Sequence, residues 1–511
     1  MGHGMVAILL LLGMWRTECC KAEDARRPNI LLAISDDQSF AHVSMAGCKS
    51  VRTPAFDRVA GEGVWFRNGF AASPGCSPSR ASLLTGRHTW QIEQAGTHLS
   101  SFPIKYATYP DLLEANGYLI GYTGKGWGPG NFKISGRTRN PAGPAYNQRK
   151  LTPPTTGISP NDYAGNFEDF LAKRAKEQPF CFWFGAYEPH TDYEKGSGRK
   201  AGKRLEDVVV PPFLPDRPEV RDDILDYCLE IEWFDSHLSK MLAMLEAAGE
   251  LENTLVIVTS DNGMPFPRAK ATCYEYGIHM PLAIRWGAKI PGGRVVDDPV
   301  GFVDLTATII DAAGAQPPEE CPLSGRSLMK VLQSEKQGLV DPSRDAVWAA
   351  RERHSSSRYN NWTYPQRALR TAQYLYIRNF EPTRWPMGDP REIKADGSLG
   401  PVNGAYYDMD LGHTRAFMLS HLEDPAIAGF LQLAVAKRPA EELYDITKDP
   451  ACLTNLAADP AFDKTRQDFS RRMMQQLEKT GDPRALGNGA VWDAYPRYSG
   501  IRKFPPSMPS E

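Results

Sequence analysis

Asn29-Ile-Leu-Leu-Ala-Ile-Ser35 runs straight into Asp36-Asp37. A continuous apolar run this short, closed by carboxylates, reads as a strand buried on both faces, and such strands belong to parallel sheets covered by helices. Asn253-Thr-Leu-Val-Ile-Val-Thr-Ser260 repeats the plan and ends on Asp261-Asn262-Gly263. So do Gly117-Tyr-Leu-Ile-Gly-Tyr-Thr123, leading into Gly124-Lys125-Gly126-Trp127, and Pro179-Phe-Cys-Phe-Trp-Phe-Gly185, leading into Ala186-Tyr-Glu-Pro-His190. Between these runs, Pro218 to Gly249 carries apolar residues at Ile224, Leu225, Cys228, Leu229, Ile231, Leu238, Met241, Leu242 and Leu245. That helical recurrence suits a helix covering one sheet face, and Asp304 to Asp311 begins another. Alternating strands and helices predict an α/β fold with a mixed, mainly parallel sheet between helices.

Open α/β sheets bind ligands at the carboxyl ends of their strands. Asp36, Asp37, Asp261 and Asn262 stand at two such ends. Three carboxylates and an amide in one place repel unless a hard cation joins them, and oxygen donors without His or Cys point to calcium first and magnesium second. The plainer alternative is that each pair caps the turn after it. Lys125 and His190 come after strands in the same way; alone, each reads as a solvated lysine or a structural histidine.

Cys76-Ser-Pro-Ser-Arg80-Ala-Ser-Leu-Leu-Thr-Gly86-Arg87 reads as a loop entering a helix. Ser77 suits the N-cap, Pro78 the first helical position and Gly86 a left-handed end. Cys76 then lies just ahead of the helix N-terminus, where a thiol is acidic and reactive. Arg80 folds back to offer a bidentate anion clamp. The alternative is a buried structural cysteine.

Cys-Ser-Pro-Ser-Arg followed by Leu-Leu-Thr-Gly-Arg resembles the signature of the type I sulfatases. The resemblance implies the alkaline-phosphatase-like sulfatase fold. It implies that a formylglycine-generating maturation enzyme converts Cys76 to formylglycine (3-oxoalanine), whose hydrate attacks sulfur. It implies one calcium ion held by Asp36, Asp37, Asp261, Asn262 and residue 76. Lys125, His190 and Lys270 are implied to hold sulfate oxygens, with Arg80 in support and His190 as the acid for the leaving group. Thr254 to Pro267 is similar to the N-sulfoglucosamine sulfohydrolase (heparan N-sulfatase) branch. Arg268 competes with Lys270 for its role, and His279 is read as structural. One position departs from the pattern: many sulfatases carry a second active-site His where this chain has Trp127. The implied substrate is a sulfated carbohydrate of glycosaminoglycan type, with N- and O-sulfate both open. Two other readings stand beside it, a phosphomonoesterase or phosphodiesterase on the same fold and a non-catalytic glycan-binding descendant.

The chain has 511 residues, enough for more than one domain, and 59 Lys+Arg against 61 Asp+Glu argue against a nucleic-acid surface. Residues 1–22 read as a signal peptide around the apolar run Met5 to Trp15, although Met-Gly-His-Gly carries no Lys or Arg. That implies export to a secreted, periplasmic or lysosome-like compartment. No later stretch is apolar and long enough to span a membrane. The expected units are a catalytic domain over 27–345, a C-terminal α+β subdomain over 346–480 and a Pro-rich tail over 481–511. Within the second, Arg367 to Ala372 and Tyr374 to Arg378 read as strands, Glu441 to Ile446 as another, and Phe462 to Lys479 as a helix. Arg351-Glu-Arg-His354 and Trp362 to Arg367 resemble the N-sulfatase branch, as pocket-lining residues or as a solvated charged loop. Cys19, Cys20 and Cys76 aside, six cysteines remain, with no zinc-ligand spacing and no pairing fixed by sequence.

Overall fold

A computed structural model of the chain describes Met1 and residues 26–317 and 319–498. The expected signal peptide lies, Met1 apart, outside the described residues. Eight strands build the larger sheet: β1 (Asn29–Ser35), β2 (Val64–Phe70), β3 (Leu119–Gly124), β4 (Phe180–Gly185), β5 (Thr254–Ser260), β6 (His279–Arg285), β7 (Arg294–Val296) and β8 (Val300–Gly301). They lie in the order β3-β4-β1-β5-β6-β2-β7, with β8 also on β2. β3, β4, β1 and β5 run parallel, and β6 is antiparallel to both β5 and β2. The sheet is therefore mixed and mainly parallel, as the apolar runs predict.

Every residue of β1 is buried, because both faces of the sheet are covered. Ile30, Leu32 and Ile34 pack with Trp183 and Ile257 beneath the helices Cys76–Thr85 and Phe302–Ala312. Leu31 and Ala33 pack with Phe182, Phe184 and Val258 beneath the helices Tyr163–Leu171 and Pro218–Ala247. Burial on both faces is why these strands lack polar alternation.

A second, antiparallel sheet is made of β9 (Val347–Arg351), β10 (Gln366–Arg370), β11 (Tyr374–Asn379) and β12 (Glu441–Asp445) in the order β12-β11-β10-β9. The two strands expected at Arg367 to Ala372 and Tyr374 to Arg378 are present as β10 and β11, which pair antiparallel. Met473 and Leu477 of the helix Asp463–Lys479 pack on Leu369, Tyr376 and Leu443 of this sheet. The seven described cysteines are free thiols. Among the described residues no helix is long and apolar enough to cross a membrane.

In the parallel strands, Ser35 pairs with Ser260, Ile34 with Gly185, and Gly185 with Gly124. This register makes the segments beyond β3, β4, β1 and β5 emerge side by side. Gly124 takes φ +73, and a Cβ there would lie 2.0 Å from the Gly185 carbonyl. A Cβ on Gly185 would lie 2.0 Å from the Lys125 carbonyl. Two glycines thus let β3 and β4 close up and deliver Lys125. Gly185→Ala is expected to destabilise the chain by about 1–3 kcal/mol through overpacking against backbone. Gly61→Ala, in the open last turn of the helix Pro54–Glu62 with nothing within 4 Å, is expected to stabilise it by about 0.5–1 kcal/mol. Chemical denaturation of both variants checks the contrast; equal effects would contradict it.

Candidate active site

Asp36-Asp37 leave β1 where Asp261-Asn262 leave β5, and all four side chains are buried. The Asp37 N–H donates to Asp261 Oδ1 at 3.1 Å, and Asn262 Nδ2 donates to Asp37 Oδ1 at 2.7 Å. Asp37 holds φ +73, a left-handed conformation that Asp adopts more readily than most residues. Asp36 Oδ1 and Asn262 Oδ1 are buried without a hydrogen-bond partner among the described residues. Bare buried oxygens of this kind cost free energy until a cation or water meets them. Ligand atoms of Asp36, Asp261 and Cys76 lie within 4.8 Å of one another. The donor set fits a hard divalent cation, calcium before magnesium.

Electrostatics point the same way. Burial pushes Asp37 up to about 7 against the pull of Lys270, and pushes Asp261 up to about 6 against Arg80, with Asp36 adding to both. Asp36 moves the other way: burial would raise it, but Lys125, His190 and Arg80 together hold it below the usual carboxylate range. Two of the three carboxylates, Asp37 and Asp261, thus resist ionising, and added positive charge would relieve them.

Cys76 opens the helix Cys76–Thr85, with extended Gly75 as N-cap and Gly86 closing it at φ +66. The helix therefore begins before the Ser77-Pro78 start predicted from sequence, and Ser77 Oγ accepts the Leu99 N–H at 3.4 Å instead of capping. The acidic thiol expected there is also corrected. Burial pushes Cys76 up to about 11 despite Lys125 and Lys270, and Asp36 and Asp261 add to the rise. Nor is Arg80 a free anion clamp. Its Nε donates to Asp261 Oδ2 at 2.6 Å, and Nη1 donates to the carbonyls of Lys125 at 2.6 Å and Gly126 at 3.1 Å. Among the described residues its Nη2 alone finds no hydrogen bond, 4.0 Å from Asp36 Oδ1.

The remaining predicted cations converge on the same place. Lys125 Nζ donates to Asp36 Oδ2 at 2.5 Å. Lys270 Nζ bridges Asp37 Oδ2 and Asp410 Oδ2, both at 2.6 Å. His190 Nε2 lies 3.7 Å from Asp37 Oδ2 and 4.0 Å from Asp410 Oδ2, while Nδ1 donates to the Thr191 carbonyl at 2.5 Å. Arg268 turns away, donating to the carbonyls of Leu433 and Cys452. His279 also lies apart, stacked on Phe40 and Phe70, with Nε2 2.8 Å from the Arg67 carbonyl.

Two residues at the site carried no sequence signal. Asp410 lies in an irregular segment, two residues after Asp408. His98 lies between the 3₁₀ turn Glu93–Gly96 and the helix Tyr109–Ala115, and its Nε2 is 3.3 Å from Cys76 Sγ. His354, noted only as part of a resembling stretch, stacks on His98 at 4.5 Å and places Nε2 3.8 Å from Asp410 Oδ1. Its neighbours Arg351, Glu352 and Arg353 do not form a solvated loop; all three are buried. Arg351 and Arg358 both donate to Asp408 Oδ2, at 2.5 and 2.6 Å, and Ser355 donates N–H and Oγ–H to Asp408 Oδ1. Asp408 so ties the segment carrying His354 to the one carrying Asp410.

Residues 28–315 match the family model for sulfatases, and residues 268–395 match that for the C-terminal part of N-sulphoglucosamine sulphohydrolase. The chain belongs to the sulfatase family. The N-sulphoglucosamine sulphohydrolase of Homo sapiens is 28% identical, with 93% of this chain and 93% of that one aligned. An ulvan-active sulfatase of Formosa agariphila is 25% identical over 90% of this chain and 81% of its own. A solved complex of a protein with its substrate D-glucosamine-2-N,6-O-disulfate superposes with TM-score 0.62 at 19% identity, covering 90% of this chain and 99% of that one. The phosphonate monoester hydrolase of Silicibacter pomeroyi superposes with TM-score 0.63 at 17% identity, covering 89% and 96%. These two likenesses concern the fold, which is the alkaline-phosphatase-like sulfatase fold.

In this sulfatase the Trp127 indole is buried, edge-on to Phe102, and its Nε1–H donates to the Ser77 carbonyl at 3.1 Å. It supports the signature helix and brings no titratable group to residue 76. The arginine pair on Asp408 makes a further test of the scaffold. Burial would raise that carboxyl, but Arg358 and Arg351 outweigh it and hold it low. Its stabilising contribution is therefore present above the ordinary carboxylate pKa and lost as pH falls below it. Asp408→Asn leaves two buried guanidinium groups short of charge and is expected to cost about 3–5 kcal/mol at neutral pH. Denaturant melts across pH should show the gap from wild type narrowing in acid; a constant gap would contradict this.

Proposed function

We propose that this chain is an exported, calcium-dependent sulfohydrolase that removes sulfate from a glycosaminoglycan-type sugar, with N-sulfoglucosamine as the favoured substrate residue. One observation carries the reading: Cys76 lies with Asp36 and Asp261 in a buried group of possible ligands, while Lys125, Lys270 and His190 converge beside it. Asp36, Asp37, Asp261, Asn262 and residue 76 would hold calcium, which would supply fixed positive charge to sulfate oxygens. Oxidised to formylglycine by a maturation enzyme, residue 76 would supply an oxygen nucleophile and a second hydroxyl for releasing sulfate. A thiol has no second oxygen for that release.

The other roles fall to ordinary side chains. Lys125 and Lys270 bind sulfate oxygens, each held in place by its carboxylate partner. Arg80 fixes both Asp261 and the turn that carries Lys125. His190 gives a proton to the leaving nitrogen or oxygen from Nε2, because Nδ1 is committed to the Thr191 carbonyl. Burial and Lys270 lower its pKa, Asp36 and Asp410 oppose them, and an arriving sulfate adds negative charge that favours the protonated ring. The amino-sugar substrate is supported by the human N-sulphoglucosamine sulphohydrolase and by the complex with glucosamine disulfate. A second reading, a phosphomonoesterase or phosphodiesterase, has the fold of the phosphonate hydrolase in its favour.

Purified mature protein, assayed on N-, 2-O-, 3-O- and 6-O-sulfated glucosamine sugars and on phosphate esters, separates these readings. Sulfate release from the N-sulfated sugar is expected, with mass spectrometry showing oxidised residue 76. Cys76→Ala, and protein made without the maturation enzyme, should both show negligible turnover. Full turnover by protein carrying only the free thiol, or cleavage of phosphate esters alone, would overturn the proposal.

A further inference from the structure

We propose that His98 fills the place Trp127 leaves open: its Nε2 accepts a hydrogen bond from the group at position 76 and orients that group toward the sulfate. This rests on the sulfohydrolase reading and names the residue that holds its nucleophile. The geometry is specific. His98 Nε2 is 3.3 Å from Cys76 Sγ, and His98 Nδ1 is 2.8 Å from the His354 carbonyl. A carbonyl only accepts, so Nδ1 carries the hydrogen and a neutral ring presents a bare lone pair at Nε2.

His98 is also held from several sides. Its ring stacks on His354 at an interplanar angle of 21°, its backbone N–H donates to the Arg353 carbonyl at 3.1 Å, and Arg497 Nη1 donates to the same His354 carbonyl at 2.8 Å. The residue is only partly buried. A purely structural histidine would not need its one free lone pair aimed at the modified residue.

The test uses mature wild-type protein with His98→Ala and His98→Gln, the occupancy of oxidised residue 76 being measured by mass spectrometry and kcat expressed per oxidised site. On the sulfated sugar that wild type cleaves, kcat is expected to fall about a hundredfold in both variants, with KM and the melting temperature close to wild type. Added imidazole should restore part of the rate to His98→Ala, which a structural role would not allow. In histidine-labelled protein, the 15N signals absent from His98→Gln should report hydrogen on Nδ1. Undiminished kcat in oxidised His98→Ala, a loss that imidazole does not relieve, or hydrogen on Nε2 would each overturn this proposal alone. Wild-type protein oxidised at position 76 that releases no sulfate would overturn the sulfohydrolase reading and this proposal with it.

Discussion

Strand register forces Asp36, Asp37 and Asp261 into one buried place, and the rest of the molecule is arranged around the charge this concentrates. Removing an unpaired carboxylate from water costs several kcal/mol even after relaxation, and three together also repel. Arg80, Lys125 and Lys270 each touch one of them within 2.6 Å. Asp410 then shares Lys270, so four carboxylates face three permanent cations before any sulfate arrives. A sulfate group brings more negative charge. A divalent cation would restore the balance and give partners to the bare oxygens of Asp36 and Asn262.

This constraint explains features that otherwise look unrelated. The glycine pair at 124 and 185 allows β3 and β4 to approach closely enough for Lys125 to reach Asp36. Arg80 is spent on Asp261 and on backbone carbonyls, so it acts as a brace for the acids. The second sheet contributes through Arg351 at the end of β9, which meets Asp408 and so steadies the segment bearing Asp410.

Much of this was legible in the sequence because buried parallel strands leave an unmistakable apolar run, and the residue that ends such a run must sit at the sheet's carboxyl edge. β1, β3, β4 and β5, with Asp36, Asp37, Lys125, Asp261 and Asn262 after them, obey that logic. Lys270 needed the family resemblance, since nine residues of irregular chain separate it from β5. Asp410 and His98 belong to no strand end and no motif; long-range packing brings them in, and no local pattern encodes it. The acidic thiol was misjudged for a physical reason. The helix N-terminus favours a thiolate, but complete burial beside Asp36 and Asp261 disfavours it more strongly.

The decisive measurement is a crystal structure of the mature protein grown with calcium, with the cation identified by its anomalous scattering. The account predicts one calcium ion contacted by Asp36, Asp37, Asp261 and Asn262, with an oxidised residue 76 beside it. Calcium bound elsewhere, or those four side chains satisfied by lysine and arginine alone in saturating calcium, would contradict it.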